Sequence, residues 1–151
     1  MNTKQLQTEI ARLKTENEAL KLHQPYGILT RAGFELEKRT LADAQYAVFG
    51  DIDNMHGLNV LHGYETVNQM IRNALSLRHD DLLLTGLWFS GDEIVFIIKS
   101  NPEGFITRLR ESFQAHSMSI TLAAAPISNG EVNNAIDQAA QVVQAHKQSR
   151  R

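Results

Sequence analysis

The chain has 151 residues, of which 42% are hydrophobic, which is enough for one domain with a core and a short appendage. Its net charge of -2 gives no overall attraction to nucleic acid or to an anionic membrane, and its lack of cysteine excludes disulfides and thiolate metal sites. No apolar run approaches the roughly 20 residues that span a bilayer. We therefore expect a cytoplasmic protein that binds neither nucleic acid nor membrane.

The first residues predict a coiled-coil helix. The heptad positions are Leu6, Ile10, Leu13, Asn17 and Leu20. A single asparagine at an a position favours a parallel two-stranded coiled coil and fixes its register. Glutamates at g (Glu9, Glu16) and lysines at e (Lys14, Lys21) would pair between chains. We predict that residues 1–23 join two chains in a homodimer; the alternative is a lone amphipathic helix lying on the domain.

Residues 24–151 are predicted to form the domain, since Pro25 and Gly27 interrupt the heptads. Thr30 is suited to cap a helix that runs through Leu41. A buried strand over residues 46–53 then ends in Asp51 and Asp53, which alternation places on one face.

The remaining elements follow from apolar periodicity and turn residues. In order they are a turn at 54–57, a helix at 64–77, strands at 82–89 and 94–98 around a Ser-Gly-Asp-Glu turn, a helix from 102, a strand at 119–124 and a helix at 131–146. This βαββαβ-type order predicts an α+β fold, a ferredoxin-like palm in which helices back an antiparallel sheet.

Carboxylates stand at both strand ends of this predicted sheet. If the strand that ends at Asp51 and Asp53 lies beside the hairpin, these residues meet Asp92 and Glu93 at its tip. Such a concentration of negative charge is costly unless cations neutralise it, and hard oxygen ligands select Mg²⁺ or Mn²⁺. Metals held in this way commonly serve phosphoryl or nucleotidyl transfer. The plainer interpretation is an ordinary acidic hairpin turn.

The order of several short motifs resembles one family. They are Gly27, Arg31-x-x-Phe34, Asp51-Ile52-Asp53, Asn59, Gly63 and Ser90-Gly91-Asp92-Glu93-Ile94. Together they resemble the GGDEF domain of diguanylate cyclases, with Ser for the first Gly and Ile for the closing Phe. The resemblance covers the chain from about Gln24 to its C-terminus.

The resemblance implies a role for each matching position. Asp51, Asp92 and Glu93 would be catalytic, and the metal ligands would be Asp51, Asp53, Asp92 and the carbonyl of Ile52. The nucleotide would be bound by Asn54, Met55, His56, Asn59, Asn68, Gly91, Lys147 and Arg150. The first three would offer backbone amides to the triphosphate, and the two helix asparagines would read the purine base. The alignment of Lys147 and Arg150 with the family's phosphate-binding cations is ambiguous, and a solvated basic tail is an equal alternative.

Several positions depart from the family pattern. Met55-His56 stands for Phe-Lys, Val60 for Asp, Tyr64 for His and Val67-Asn68 for Gly-Asp; in the connector His23 and Thr30 stand for Asp and Asn. The resemblance thus implies a metal-dependent nucleotidyl cyclase that joins two GTP or ATP molecules into c-di-GMP, cGAMP or c-di-AMP. The departures favour an alternative, a regulatory module that binds a nucleotide or a partner protein without turnover. A palm-type polymerase shares the metal chemistry but would need a basic groove for its template.

Overall fold

The computed structural model describes residues 2–23 and 25–149, without the side chains of residues 17–20. The side chains of Asn17 and Leu20, two of the predicted heptad positions, are therefore not described. Arg150 lies outside the described residues. In chain order the elements are α1 (Thr3–Lys21), β1 (Leu22–His23), β2 (Ile28–Leu29), α2 (Arg31–Glu37), a 3₁₀ turn (Lys38–Thr40), β3 (Tyr46–Ile52), α3 (Met55–His62), α4 (Tyr64–Leu75), β4 (Leu82–Leu87), β5 (Glu93–Ile98), α5 (Pro102–Ala115), β6 (Ile120–Pro126) and α6 (Val132–Ser149).

One six-stranded sheet has the strand order β1-β2-β4-β5-β3-β6. β3 is antiparallel to β5 on one side and to β6 on the other, and β4 is antiparallel to β5. With the intervening helices these four strands form the predicted βαββαβ unit, so the α+β ferredoxin-like palm is confirmed. β1 and β2 extend the edge beside β4 and were not predicted, because two-residue strands carry no readable period.

Helices cover both faces of the sheet, and alternation along β3 decides which face each residue joins. Val48 and Ile52 pack with the buried stripes of α4 and α5. Ala47 and Phe49 pack with α2 and α6 on the opposite face. Asp51, two residues beyond Phe49, continues this second face and therefore points towards α6.

The N-terminal helix is present as predicted, and it does not lie on the domain. Between residues 2 and 16 every side chain is exposed except the half-buried Glu9. Leu6, Ile10 and Leu13 are 50%, 44% and 45% exposed, an apolar stripe that faces solvent. The alternative of a helix covering the domain is therefore wrong for this part of the chain.

The charged residues of this helix pair differently from the sequence expectation. Arg12 bonds to Glu9 and to Glu16, the latter at 2.6 Å, so both predicted g-position glutamates have partners in their own helix. Lys21 lies 3.5 Å from Glu37 of the same chain. Interchain pairing would have to compete with these contacts.

Several element boundaries differ from the prediction. α2 stops at Glu37, whose carbonyl accepts a hydrogen bond from the Thr40 hydroxyl at 2.9 Å. Residues 55–62 form α3 where a turn was expected, because Asn54 reverses the chain alone in a left-handed conformation with φ 55°. A Cβ on Gly57 would lie 2.5 Å from the Asn54 side chain, so glycine makes room for this reversal. α4 ends at Leu75, and α6 continues to Ser149.

Glu35 ties α2 to the hairpin and to α6. It accepts hydrogen bonds from Arg31 Nε at 3.1 Å and Asn133 Nδ2 at 3.3 Å, and it pairs with Lys38. Arg31 in turn stacks 3.5 Å from the centroid of the Trp88 ring. Burial alone would raise the pKa of Glu35, but the hydrogen bonds from Lys38 and Arg31 outweigh it and lower the pKa.

This lowered pKa predicts a pH-dependent contribution to stability. A carboxyl whose pKa falls on folding stabilises the protein above its unfolded pKa of about 4.3, and the contribution is lost as the pH falls through the folded value. Glu35→Gln is therefore expected to lower the free energy of unfolding by about 0.5–1 kcal/mol at pH 7, with a smaller loss at pH 3. Urea unfolding at both pH values measures this, with the exposed Glu111→Gln as control. An equal loss at both pH values would contradict the assignment.

Candidate active site

The predicted carboxylates converge where β3 adjoins the turn between β4 and β5. Asp51 lies opposite Glu93 in the β3–β5 register, and the Ile52 N–H donates to the Asp92 carbonyl at 2.8 Å. The Phe89 N–H donates to Glu93 Oε1 at 3.3 Å. Backbone pairing of two strands therefore brings the predicted catalytic residues Asp51, Asp92 and Glu93 together.

Asp53 is held by the neighbouring strand β6. The Ser119 and Thr121 hydroxyls donate to Oδ2 and Oδ1 of Asp53, each at 2.7 Å. The Asp53 N–H also donates to the Ser119 carbonyl at 2.9 Å. Neither hydroxyl was predicted from the sequence, although their spacing of two residues at the start of a strand places them on one face.

Lys147 joins the two aspartates of β3 to α6. Its Nζ lies 2.8 Å from Asp51 Oδ1, 3.2 Å from Asp53 Oδ1 and 3.4 Å from the Ile52 carbonyl oxygen. Asp51 and Asp53 thus share one face as predicted. Lys147 was predicted to contact phosphate; here its ammonium lies among the oxygens predicted to bind metal, and its phosphate role stays a prediction.

The two aspartates experience opposite electrostatic effects. Burial raises the pKa of Asp51 despite Lys147, and the charges of Asp92 and Asp53 add to the rise. Burial would also raise the pKa of Asp53, but the hydrogen bonds from Ser119, Thr121 and Lys147 outweigh it and lower the pKa. Burial together with the charges of Asp51 and Asp92 raises the pKa of Glu93. A buried like-charge cluster of this kind is stabilised by an added cation.

The donor set fits a hard divalent cation. Asp51 is 7% exposed, and within the described residues its Oδ1 accepts no hydrogen bond of normal geometry, even though Lys147 Nζ is 2.8 Å away. Carboxylate and carbonyl oxygens from Asp51, Asp92 and Ile52 are the ligands that Mg²⁺ and Mn²⁺ prefer. Among the described residues no three His, Asp or Glu side chains form a ready-made metal cluster. A metal held by these groups would therefore have to displace the Lys147 ammonium from Asp51.

Five of the residues predicted to bind the nucleotide lie at the start of, or on, the two helices that follow β3. Asn54 and His56 are exposed at the start of α3, and Met55 is half-buried there. Asn59 is buried at its side-chain oxygen, which has no hydrogen-bond partner among the described residues. Asn68 is half-buried on α4. A buried acceptor without a partner is costly, so Asn59 is the residue here whose environment favours a polar ligand.

Comparison with solved structures identifies the fold, although no family profile and no curated protein matches the sequence. The diguanylate cyclase SiaD of Pseudomonas aeruginosa, solved with its activator SiaC, matches 97% of this chain with a TM-score of 0.68 and 17% identity. The coiled coil and GGDEF domain of DgcB from Caulobacter crescentus, solved with c-di-GMP, matches 96% with a TM-score of 0.70 and 18% identity. This chain has the GGDEF-domain fold. It spans 66% of the SiaD chain and 92% of the DgcB chain.

A third match is confined to the domain. The GGDEF domain of TpbB (YfiN) from Pseudomonas aeruginosa matches 85% of this chain, and 89% of its own, with a TM-score of 0.60 and 21% identity. The resemblance drawn from short motifs is therefore confirmed at the level of the fold.

Among the described residues, none of the helices combines the length and the apolar character that a membrane span requires.

In this GGDEF fold the hairpin turn is occupied by the predicted signature segment, Ser90-Gly91-Asp92-Glu93-Ile94. Ser90 donates its hydroxyl to Asp92 Oδ1 at 2.5 Å, and the Ser90 carbonyl accepts from the Glu93 N–H at 3.2 Å. Ser90 therefore orients the side chain of Asp92. Gly91 is not among the residues with positive φ, so left-handed freedom does not explain this glycine.

Proposed function

We propose that this GGDEF domain is a metal-dependent nucleotidyl cyclase, which condenses two purine nucleoside triphosphates into a cyclic dinucleotide with release of pyrophosphate, in the cytoplasm. The observation that carries the proposal is that strand pairing places Asp51 opposite Glu93 and joins Ile52 to the Asp92 carbonyl, with Oδ1 of Asp51 buried beside them. A site of this kind concentrates negative charge where phosphate groups would also have to bind. That arrangement is useful only to a reaction that includes a cation.

The proposed chemistry is two equivalent nucleotidyl transfers. The 3′-hydroxyl oxygen of each nucleotide attacks the α-phosphorus of the other, the bond to the β-phosphate oxygen breaks, and the hydroxyl proton and pyrophosphate leave. Asp51, Asp92 and the Ile52 carbonyl would hold Mg²⁺ or Mn²⁺, assisted by Glu93 and Asp53. The bound metal would lower the pKa of the attacking hydroxyl and neutralise the phosphates.

The chain's own residues supply orientation and charge in this reaction. The β3–β5 pairing fixes Asp51 relative to Glu93, and the Phe89 N–H holds the Glu93 carboxylate. Lys147 brings a positive charge to the same edge of the sheet. Asn59 offers a buried acceptor to the base, and Asn68 would contact the base from α4. GTP, ATP or both would serve, with c-di-GMP, cGAMP or c-di-AMP as products.

The reaction needs two subunits, since each half-site would bind one nucleotide. The exposed stripe of Leu6, Ile10 and Leu13 supports a parallel coiled-coil homodimer that raises the local concentration of facing half-sites. Residues 1–23 would then be the dimerisation segment and residues 24–151 the catalytic domain.

This assembly predicts a charge-sensitive dimer. The double variant Ile10→Glu and Leu13→Glu is expected to raise the dimer dissociation constant roughly 100-fold or more, because it removes apolar contacts and adds like charges across the seam. Both residues are exposed in the single chain, so its fold should persist. Sedimentation at micromolar protein measures the effect, with the exposed Thr8→Glu off the seam as control. A variant that remains as dimeric as the control would remove the coiled coil from the assembly.

One observation favours a second candidate, a module that binds a nucleotide or a partner protein without turnover. The Lys147 ammonium already neutralises Asp51 and Asp53, and so partly replaces the cation that catalysis requires. The departures at Met55, His56 and Val60 point the same way.

One experiment separates the two candidates. The protein is incubated with Mg²⁺ or Mn²⁺ and with GTP, ATP or both, and the products are resolved by chromatography, with nucleotide binding measured in parallel. Cyclic dinucleotide together with pyrophosphate supports the cyclase. Saturable binding without product supports the nucleotide-binding module. Finding neither binding nor product overturns both the cyclase and the nucleotide-binding module, and leaves a module that binds a partner protein.

A further inference from the structure

Tyr26 reaches from the connector after α1 to the signature turn. Its side chain is buried, with 5% of the residue exposed, and its hydroxyl donates to the Gly91 carbonyl oxygen at 2.6 Å. The two residues are 65 positions apart in sequence. The bond therefore adds a side-chain contact between two segments whose neighbouring strands, β2 and β4, are already paired at Leu29 and Gly86.

The turn that Tyr26 contacts carries Asp92. The turn itself is exposed at Ser90 and Gly91. From the β3 side it is held through the Asp92 carbonyl, which accepts from the Ile52 N–H at 2.8 Å. Tyr26 holds the adjacent carbonyl from the connector side. Two neighbouring peptide groups are thus fixed by different parts of the chain, and the Asp92 side chain lies between those anchors.

Local contacts hold His23 and Gly27, described residues of the connector on either side of Tyr26. The Gly27 N–H donates to the His23 carbonyl at 2.8 Å, with Gly27 at φ 70°, and the His23 ring packs edge-on against Tyr26 at 4.5 Å. Just before it, the last residue of α1 is fixed because the Lys21 carbonyl accepts from the Thr30 N–H at 2.6 Å. A movement of the C-terminal end of α1 would consequently be transmitted through Tyr26 to the turn of residues 90–93.

We propose that Tyr26 is a positioning residue, whose hydroxyl fixes the turn of residues 90–93 and so sets where Asp92 stands relative to Asp51. Its role in turnover rests on the proposed cyclase function, whereas its role in the turn's geometry does not. Burial, with a further contribution from the Asp92 charge, raises the pKa of Tyr26 to about 12. The hydroxyl therefore stays protonated, and a donor, throughout the neutral range.

Tyr26→Phe tests the role by removing the hydroxyl alone. A typical hydrogen bond shifts a local opening equilibrium by about two- to tenfold. Amide hydrogen exchange at Glu93 and Ile52, whose N–H groups bond to the turn, should therefore accelerate by about two- to tenfold more than exchange in β6. The matched control is Tyr46→Phe, since the half-buried Tyr46 hydroxyl has no hydrogen bond in the described part of the chain. Equal acceleration of turn and β6 amides, or none, overturns the proposal.

A second measurement tests the consequence for the site. In titrations with Mn²⁺ alone, the Tyr26→Phe variant should bind the ion more weakly than the Tyr46→Phe variant. The affinity should differ by at least the factor by which amide exchange at the turn accelerates. If the wild type forms product, the Tyr26→Phe variant should have a lower kcat and an unchanged KM, because the substitution displaces Asp92 and leaves the base-binding helices in place. If amide exchange at the turn accelerates in Tyr26→Phe but its Mn²⁺ affinity and kcat are unchanged, the proposal that Tyr26 positions Asp92 is overturned. A wild type that neither binds Mn²⁺ nor forms product overturns the cyclase proposal instead, and the exchange data still decide the role of Tyr26 in the turn.

Discussion

Asp92→Asn is expected to reduce cyclic dinucleotide synthesis by roughly 10³-fold or more while leaving the protein folded. The amide keeps the shape of the side chain, and its oxygen can still accept the Ser90 hydroxyl that now lies 2.5 Å from Asp92 Oδ1. The Asp92 carbonyl, which accepts from the Ile52 N–H, is unaffected. What is lost is the charge that would hold the metal, so the effect should fall on turnover and Mn²⁺ affinity and spare stability.

The matched control is Asp137→Asn, an exposed aspartate on α6 that has no contact with the candidate site among the described residues. Product formation at saturating GTP and ATP, Mn²⁺ affinity and thermal unfolding should be measured for both variants. Wild-type turnover in Asp92→Asn would show that the carboxylate cluster is not the catalytic centre. Loss of folding in that variant would show that the aspartate is structural.

The fold and much of the candidate site could be predicted from the periodicity of the strands. The run that ends at Asp51 is apolar throughout and its strand is buried on both sides, so type and position could be read from composition. The hairpin followed from its turn residues, and the observed antiparallel register of β3 and β5 places Asp51 opposite Glu93. Such local patterns are readable because each depends on residues close in sequence.

What the sequence did not predict depends on contacts between distant segments. Lys147 lies 95 positions from Ile52, so no period or motif indicates that its ammonium rests on the aspartates. The sequence therefore predicts that metal ions alone neutralise the carboxylates, whereas in the structure the Lys147 ammonium also contributes to their neutralisation. Ser119, Thr121 and Tyr26 are also bound to the site across long sequence separations. Helix α3 was missed because Asn54 completes the chain reversal in one residue.

The two asparagines predicted to contact the base differ in how well the structure constrains them. The buried Asn59 oxygen has no partner among the described residues, so a base that donates a hydrogen bond would stabilise it. Asn68 lies on the next helix, one residue after the fully buried Val67, which fixes the backbone from which it projects. Changing Asn68 therefore alters the chemistry presented to a ligand without disturbing the core.

Asn68→Asp is expected to shift base choice towards guanine by roughly tenfold or more. A carboxylate can accept from both N1–H and the N2 amino group of guanine, whereas an amide offers one acceptor and one donor, a better match to N1 and N6 of adenine. A hydrogen bond to a charged group is worth about 1.5–3 kcal/mol, which corresponds to tenfold or more. The wild type should thus form c-di-AMP or cGAMP beside c-di-GMP when GTP and ATP compete at equal concentration, and Asn68→Asp should form mainly c-di-GMP. Asn73→Asp, exposed on the same helix, controls for the added charge. If the wild type uses GTP strictly and Asn68→Asp does the same, Asn68 does not take part in recognising the base. Neither the amide nor the carboxylate would then influence which purine nucleotide is joined.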